Sequence, residues 1–379
     1  MGVPRQKAIT IKKPEKIMKK LFFIAAIAGA ALVSCTKNEL APSATEQHEI
    51  TFASPVVGVQ TKVYGSILEN YDTEEDFAVW AVYSAEEIDD WSKATTPYFN
   101  NITATYGTHG GWGLTPKYYW PAVGYLSFAA MSPAFPEEKK NTITYDAEDG
   151  FMITEWSQGD TKDEIVDLMY SEPTYSHERA TYANTNHDNE DDNDTIFKYN
   201  GVDIEFKHAL SYLVFYIKTD LQYETTSFRL KGISLDGIYT TGAFTQNATS
   251  PWAVAEDSPT GKYVAYSKEA EKRMTINNGA QLVPQERHKE IILLPQTLAT
   301  DQQKITIEYD IKTNVSDWIP QSQTVDILNA KVSSWKMGKK YVYTITIGMD
   351  EIIFDPAVSD WDTDVNDNDE EDDDVNIEL

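Results

Sequence analysis

An all-β protein follows from three features of this 379-residue sequence. Short runs alternate apolar and polar side chains, the pattern of half-buried strands. Clusters of Gly, Pro, Asn and Asp separate these runs. No stretch carries the periodicity of about 3.6 residues that marks a long amphipathic helix. Many short strands with loops between them describe β-sandwiches, and the length suits two in series better than one. The expected division falls near 195–200, and a sheet fused across both halves is the competing arrangement.

At the N-terminus, Lys19-Lys20 precede an apolar run that begins Leu21-Phe22-Phe23 and ends at Ala30 and Ala31. This is the charge-then-apolar order of a secretory signal, too short for a permanent membrane span. Leu32-Val33-Ser34-Cys35 resembles the lipobox of bacterial lipoproteins. The resemblance implies that residues 1–34 are removed and that Cys35 becomes the first mature residue, acylated on its sulfur and its amino group. Acyl chains contribute about 0.8 kcal/mol per buried CH₂, and more than one chain makes a stable anchor. Thr36 follows the cysteine with no aspartate, which points to the outer membrane. Cys35 is the chain's one cysteine, which excludes an intrachain disulfide and a Cys-rich metal site.

The net charge is -28, and residues 1–34 hold seven basic and one acidic residue, so the mature chain carries -28 - 6 = -34. Such a charge argues against nucleic acid or an anionic bilayer surface as partner. The anchor is then the lipid itself. Residues 35–47 are polar and form a tether.

The first block, 48–195, opens with the alternating "HEITF" at 48–52. "FAVWAVY" at 77–83 sets Phe77, Val79, Ala81 and Tyr83 on one face, with Trp80 and Val82 on the other. "EEIDDW" at 86–91 suits a short helical turn. "YLSFAAM" at 125–131, "TITY" at 142–145 and "FMITEW" at 151–156 are further strands. The polar run "NTNHDNEDDNDT" at 184–195 reads as a solvated loop or linker; it lacks the glycine and terminal glutamate of a calcium-binding EF-hand loop.

In the second block, 196–361, Val202, Ile204 and Phe206 alternate, and after His208-Ala209 the pattern resumes with Leu213, Phe215 and Ile217. "FRLKGISL" at 228–235, "IILLPQ" at 291–296, "KITIEYDI" at 304–311 and "KKYVYTITIGM" at 339–349 continue it. The tail, 362–379, contains six consecutive carboxylates, Asp369 to Asp374, which repel one another and bury nothing.

Catalytic patterns are missing from the sequence. It contains no His-Glu-x-x-His, no phosphate loop, no Gly-x-Gly-x-x-Gly and no Gly-x-Ser-x-Gly. Its six histidines show no metal-ligand spacing, and His208 reads as packing or a local hydrogen bond. The sequence points away from an enzyme and calls for no cofactor or metal. Trp112, after Gly110-Gly111, is the candidate for an exposed ring that stacks on a sugar or a partner surface. Trp120, ahead of Pro121, reads as core.

Linked signatures run through both blocks: "FAVWAVY", "YYWPAVGYLSFAAMSP" at 118–133, "FKHALSYLVF" at 206–215 and "ISLDGIYTTGAF" at 233–244. "ILLPQTL" at 292–298, "ITIEYD" at 305–310, "WKMGKKYVYTITI" at 335–347 and "VSDW" at 358–361 complete the set. Together they resemble the fimbrillin family, the minor-fimbrium-like proteins of Bacteroides and its relatives. The resemblance implies two transthyretin-like β-sandwiches in tandem and a surface lipoprotein that serves as a pilus subunit. It further implies assembly by donor-strand exchange: a trypsin-like protease cuts after a basic residue, an early strand leaves, and a strand of another fimbrial subunit adds to the exposed edge. Carried onto this chain, the lost strand is "HEITFAS", Ile50 and Phe52 fill the groove, and Lys62 is the residue cut, where the family more typically has arginine. A tip or anchor role is expected, because the acidic tail is a poor donor. The competing expectation is a lipid-anchored surface protein that binds a host or bacterial glycan or protein without polymerising.

Overall fold

Alternation has a direct structural outcome in the strand Phe77–Ser84, whose eight residues are all buried. In a strand successive side chains point to opposite faces, so this one is covered on both. Phe77 meets Phe52 and Tyr71, while Trp80 packs edge-on against Phe151 at 5.0 Å. Two cores therefore share one strand. In this computed structural model the described residues are 48–57, 71, 75–94, 96–107, 111–137, 139–159, 165–179, 181, 201–220, 226–255, 257–283, 291–329, 331–348 and 352–361. Among them the architecture is all-β, as the sequence predicts. Three short 3₁₀ turns accompany the strands. One, Trp91–Lys93, begins at the last residue of the helical turn expected at 86–91, whose other residues are not helical, and is capped by the Asp90 side chain.

The largest sheet runs in the order Thr51–Phe52, Trp112–Thr115, Thr96–Tyr106, Phe77–Ser84, Tyr125–Ser132, Met169–Ser171, Glu205–His208 and Val56–Val57. Its first and last members are neighbouring pieces of one segment, so the path returns to where it began. Thr174–Glu178 adds to Tyr125–Ser132 beside this path. A smaller sheet joins Ile143–Asp146, Gly150–Ser157, Thr241–Thr245 and Trp252–Ala253.

The remaining strands build a sandwich. One layer holds Gln281–Leu282, Ser211–Thr219, Lys339–Ile347 and Ile352–Asp360; the other holds Thr260–Ser267, Thr226–Tyr239, Lys304–Thr313 and Ile319–Asp326. Leu213, Phe215, Ile217, Tyr343 and Ile345 from the first layer pack with Leu230, Ile233, Ile305 and Ile307 from the second. These residues recur at every second position, except that a bulge between Leu230 and Gly232 sets Leu230 and Ile233 three apart.

Residue 195, the expected domain boundary, lies outside the described residues. Segments beyond it nevertheless join sheets formed before it. Glu205–His208 pairs with Met169–Ser171, and Thr241–Thr245 pairs with Gly150–Ser157. The buried Gln158 side chain donates to the carbonyls of Val166 and Ile292, each at 2.9 Å, and the Trp252 indole donates to the Ala209 carbonyl at 2.6 Å. One core accordingly mixes Trp80, Met131 and Phe151 with Leu210, Phe244 and Leu294.

The sandwich carries one buried charge cluster. Asp310 is 2 % exposed and accepts from Arg229 Nε at 2.6 Å and from Arg273, while Trp318 lies under the Arg229 guanidinium at 4.3 Å. Burial pushes the Asp310 carboxyl up, but the hydrogen bonds and charges of the two guanidiniums outweigh it and hold the pKa below 3.8. A carboxylate depressed in the folded state contributes stability above its unfolded value, and that contribution is lost as pH falls through the native one. Asp310→Ala is expected to cost about 2–3 kcal/mol at neutral pH, since two partly exposed arginines lose their counter-charge. The difference between variant and wild type should shrink as urea denaturation is repeated below pH 3.8.

Candidate functional site

The segment His48–Val57 is bonded on two edges that run in opposite directions. On one, Trp120 N donates to the His48 carbonyl at 2.8 Å and Ile50 N to the Tyr118 carbonyl at 2.9 Å. Thr51 and Phe52 then stand antiparallel to Gly113 and Trp112. On the other edge, Val202 N donates to the Thr51 carbonyl at 2.9 Å, and Ala53 N to the Val202 carbonyl at 3.0 Å. Val56 N donates to the Ile204 carbonyl at 3.0 Å, and Val56 and Val57 continue parallel to Glu205 and Phe206. Pro55 lacks an N–H and falls between the two paired stretches.

Inward-pointing side chains fill a slot behind this backbone. Ile50 and Phe52 are both fully buried. Phe52 meets Phe77 at 5.8 Å and Phe128 at 5.5 Å, edge-on to each, the geometry that aromatic quadrupoles favour. Tyr71 closes the far side against Phe77, Trp112 and Phe206, with its hydroxyl 2.6 Å from Ser132 Oγ. Burying Ile50 and Phe52 contributes about 1.5–3 kcal/mol each.

Ile50 and Phe52, the expected groove contacts, are both fully buried and share one face of the segment. Trp112 departs from its expected role: it is 1 % exposed. Its ring is enclosed by Tyr71, Phe77 and Tyr106, because its place opposite Phe52 in the ladder turns it inward. No face remains for a surface ligand. Trp120 is buried against Phe128, as expected. Cys35 and Lys62 lie outside the described residues.

Two parts of the slot escaped sequence reasoning. Val202, Ile204 and Phe206 showed strand alternation, but nothing local marked Gly201–Phe206 as the parallel partner of His48–Val57. Tyr71 had no pattern at all. His208 behaves as a local hydrogen-bonding group: its Nδ1 lies 2.9 Å from Asp167 Oδ2, and its ring stacks on Trp361 at 3.9 Å. Among the described residues, no three His, Cys, Asp or Glu side chains converge to hold a metal ion.

The arrangement does binding chemistry. Removal of His48–Val57 would bare backbone donors and acceptors on two edges and uncover an aromatic slot, while the other cores stay covered. Phe52→Ala is therefore expected to loosen this segment first. Its cost, about 3–5 kcal/mol for a rigid core site, is capped by the free energy of local opening. Hydrogen exchange should quicken at the amides of Ile50, Ala53 and Val56 and stay unchanged at Leu213 and Ile345. Equal acceleration at both sets would show that the segment does not open separately.

A family model described as Fimbrillin-like matches residues 61–361. Among solved structures, a fimbrial protein from Bacteroides vulgatus is similar at 17 % identity and a TM-score of 0.54, covering 82 % of this chain and 99 % of that one. The tip fimbrial protein Mfa3 from Porphyromonas gingivalis, solved with a C-terminal truncation, has 10 % identity and a TM-score of 0.36 over 76 % of this chain and 94 % of that one. No curated protein matches in sequence. With the match spanning well over half of its length and both blocks of strands, the chain belongs to the Fimbrillin-like family.

Proposed function

We propose that this fimbrial, adhesion-related protein is a lipid-anchored subunit that accepts a strand from another fimbrial subunit in place of its own His48–Val57. One observation carries the reading: the segment is bonded on both edges by main-chain hydrogen bonds, and Lys62 follows it in the sequence before the next described residue, Tyr71. A cut after Lys62 would leave it held by hydrogen bonds and three buried side chains, Ile50, Phe52 and Pro55, interactions that an equivalent strand reproduces. The physics is β-augmentation, with main-chain bonds supplying affinity and side-chain pockets supplying specificity. The family match begins at residue 61, so this segment stands outside the matched body. Within the proposal the chain comprises two tandem domains, 48–195 and 196–361, with Glu205–His208 and Thr241–Thr245 of the second completing sheets of the first, after the lipidated Cys35 and the 35–47 tether.

A tip or anchor role fits better than a stalk role. The last described strand, Ile352–Asp360, is engaged along all nine residues with Lys339–Ile347 of its own sheet. Beyond it the chain runs into the six carboxylates Asp369–Asp374. To bring this stretch into a groove would drag that run across an apolar cleft at a large desolvation cost. The non-polymerising glycan or protein binder loses its named contact, since Trp112 is buried.

A trypsin-like protease should cut the mature chain after Lys62. Mixed with stalk subunits from the same cells, the cut chain should form an adduct visible by size-exclusion chromatography and native mass spectrometry, while remaining monomeric alone. A cut chain that takes up no strand would overturn exchange; one that polymerises by itself would overturn the end-subunit role. Cys35→Ser should abolish lipidation and shift the protein out of the membrane fraction. Mass spectra of membrane-bound protein that retains Ser34, or an unmodified Cys35, would refute the anchor.

A further inference from the structure

We propose that Gly201 sets the register of the groove, and that the groove selects an extended peptide with an aliphatic residue two positions before an aromatic one. This deepens the exchange reading above and rests on it. An ideal Cβ on Gly201 would lie 2.3 Å from the Phe52 carbonyl carbon, 2.4 Å from Ala53 N and 2.8 Å from Phe52 Cα. All three are backbone atoms, which cannot rotate aside as a side chain can. Gly201 is not among the glycines with positive φ, so the requirement is for space alone.

The neighbouring residue completes the device. Val202 uses its N–H and its carbonyl to grip Thr51 and Ala53, the residues on either side of Phe52. The opposite edge holds Phe52 across from Trp112. Both edges thus converge on one residue and drive its ring between Phe77 and Phe128. A slip of one residue would turn the whole inward set to the other face, and a reversed strand would lose the parallel bonding to Val202 and Ile204. The other groove-edge glycine differs: a Cβ on Gly113 finds its nearest atom, Glu49 Oε1, at 3.6 Å, an ordinary contact. Gly113 tolerates a methyl group where Gly201 does not.

Two experiments test this. In the first, uncut mature protein is exposed to thermolysin. Gly201→Ala should be cleaved within residues 48–57 at least tenfold faster than wild type, while Gly113→Ala matches wild type and near-ultraviolet circular dichroism shows both variants folded. Equal cleavage of Gly201→Ala and wild type overturns the register role. In the second, wild-type protein cut after Lys62 is offered labelled synthetic peptides. The peptide of residues 48–57 should be taken up, and versions with Phe52→Ala, with the Ile-x-Phe pair moved by one position, or with reversed sequence should bind at least tenfold more weakly. Equal uptake of the shifted or reversed peptide overturns the selectivity, and this arm decides the matter if Gly201→Ala does not fold. Uptake of no peptide at all overturns the exchange reading, while the thermolysin arm still decides the role of Gly201.

Discussion

The two-sided backbone pairing of His48–Val57 is the constraint on which the first half of the molecule depends. Without it the largest sheet has two open edges, and each would present unpaired amide and carbonyl groups, a template for another chain. With it, the strand path closes on itself and the ring cluster around Phe77 is sealed by Phe52. The same segment is therefore a structural closure and the place where a strand from outside would be most strongly received.

What confines such an opening is the shared core behind it. Phe77–Ser84 turns one face to the slot and the other to the Trp80–Phe151 cluster, and that cluster draws on residues from both halves of the chain. A vacant slot would bare Phe77 and Phe128 yet leave Trp80, Met131 and Leu294 covered. The sandwich of Phe215, Ile233, Ile307 and Tyr343 lies beyond that cluster and owes nothing to His48–Val57. Local opening is thus compatible with a folded body, which strand replacement needs.

Elsewhere the fold blunts its edges. One outermost strand of each sandwich layer, Ile319–Asp326 and Ile352–Asp360, contains a proline, Pro320 and Pro356. Proline cannot donate to a ladder and is tolerated at such edges. Ion pairs such as Lys331 with Asp355 add charge along one of them, which opposes unwanted pairing. Strand addition is disfavoured at these edges.

The sequence by itself determined that the chain is all-β and which residues alternate, so that Ile50 and Phe52 share one face. Those properties are local, because side-chain parity repeats every two residues along a strand. It also carried the ordered signatures that place the chain in its family. Only the tertiary structure decided which strands pair. It set Gly201–Phe206 parallel to His48–Val57 from about 150 residues away in sequence, a pairing for which strand alternation has no code. It turned Trp112 inward, since a ring beside a Gly-Gly turn has no parity until the strand is registered against Phe52. It also paired Thr241–Thr245 with Gly150–Ser157, where the sequence had left both separate halves and a sheet fused across them open. And it made Gly201 indispensable: a glycine's need for space exists only once another backbone lies against it.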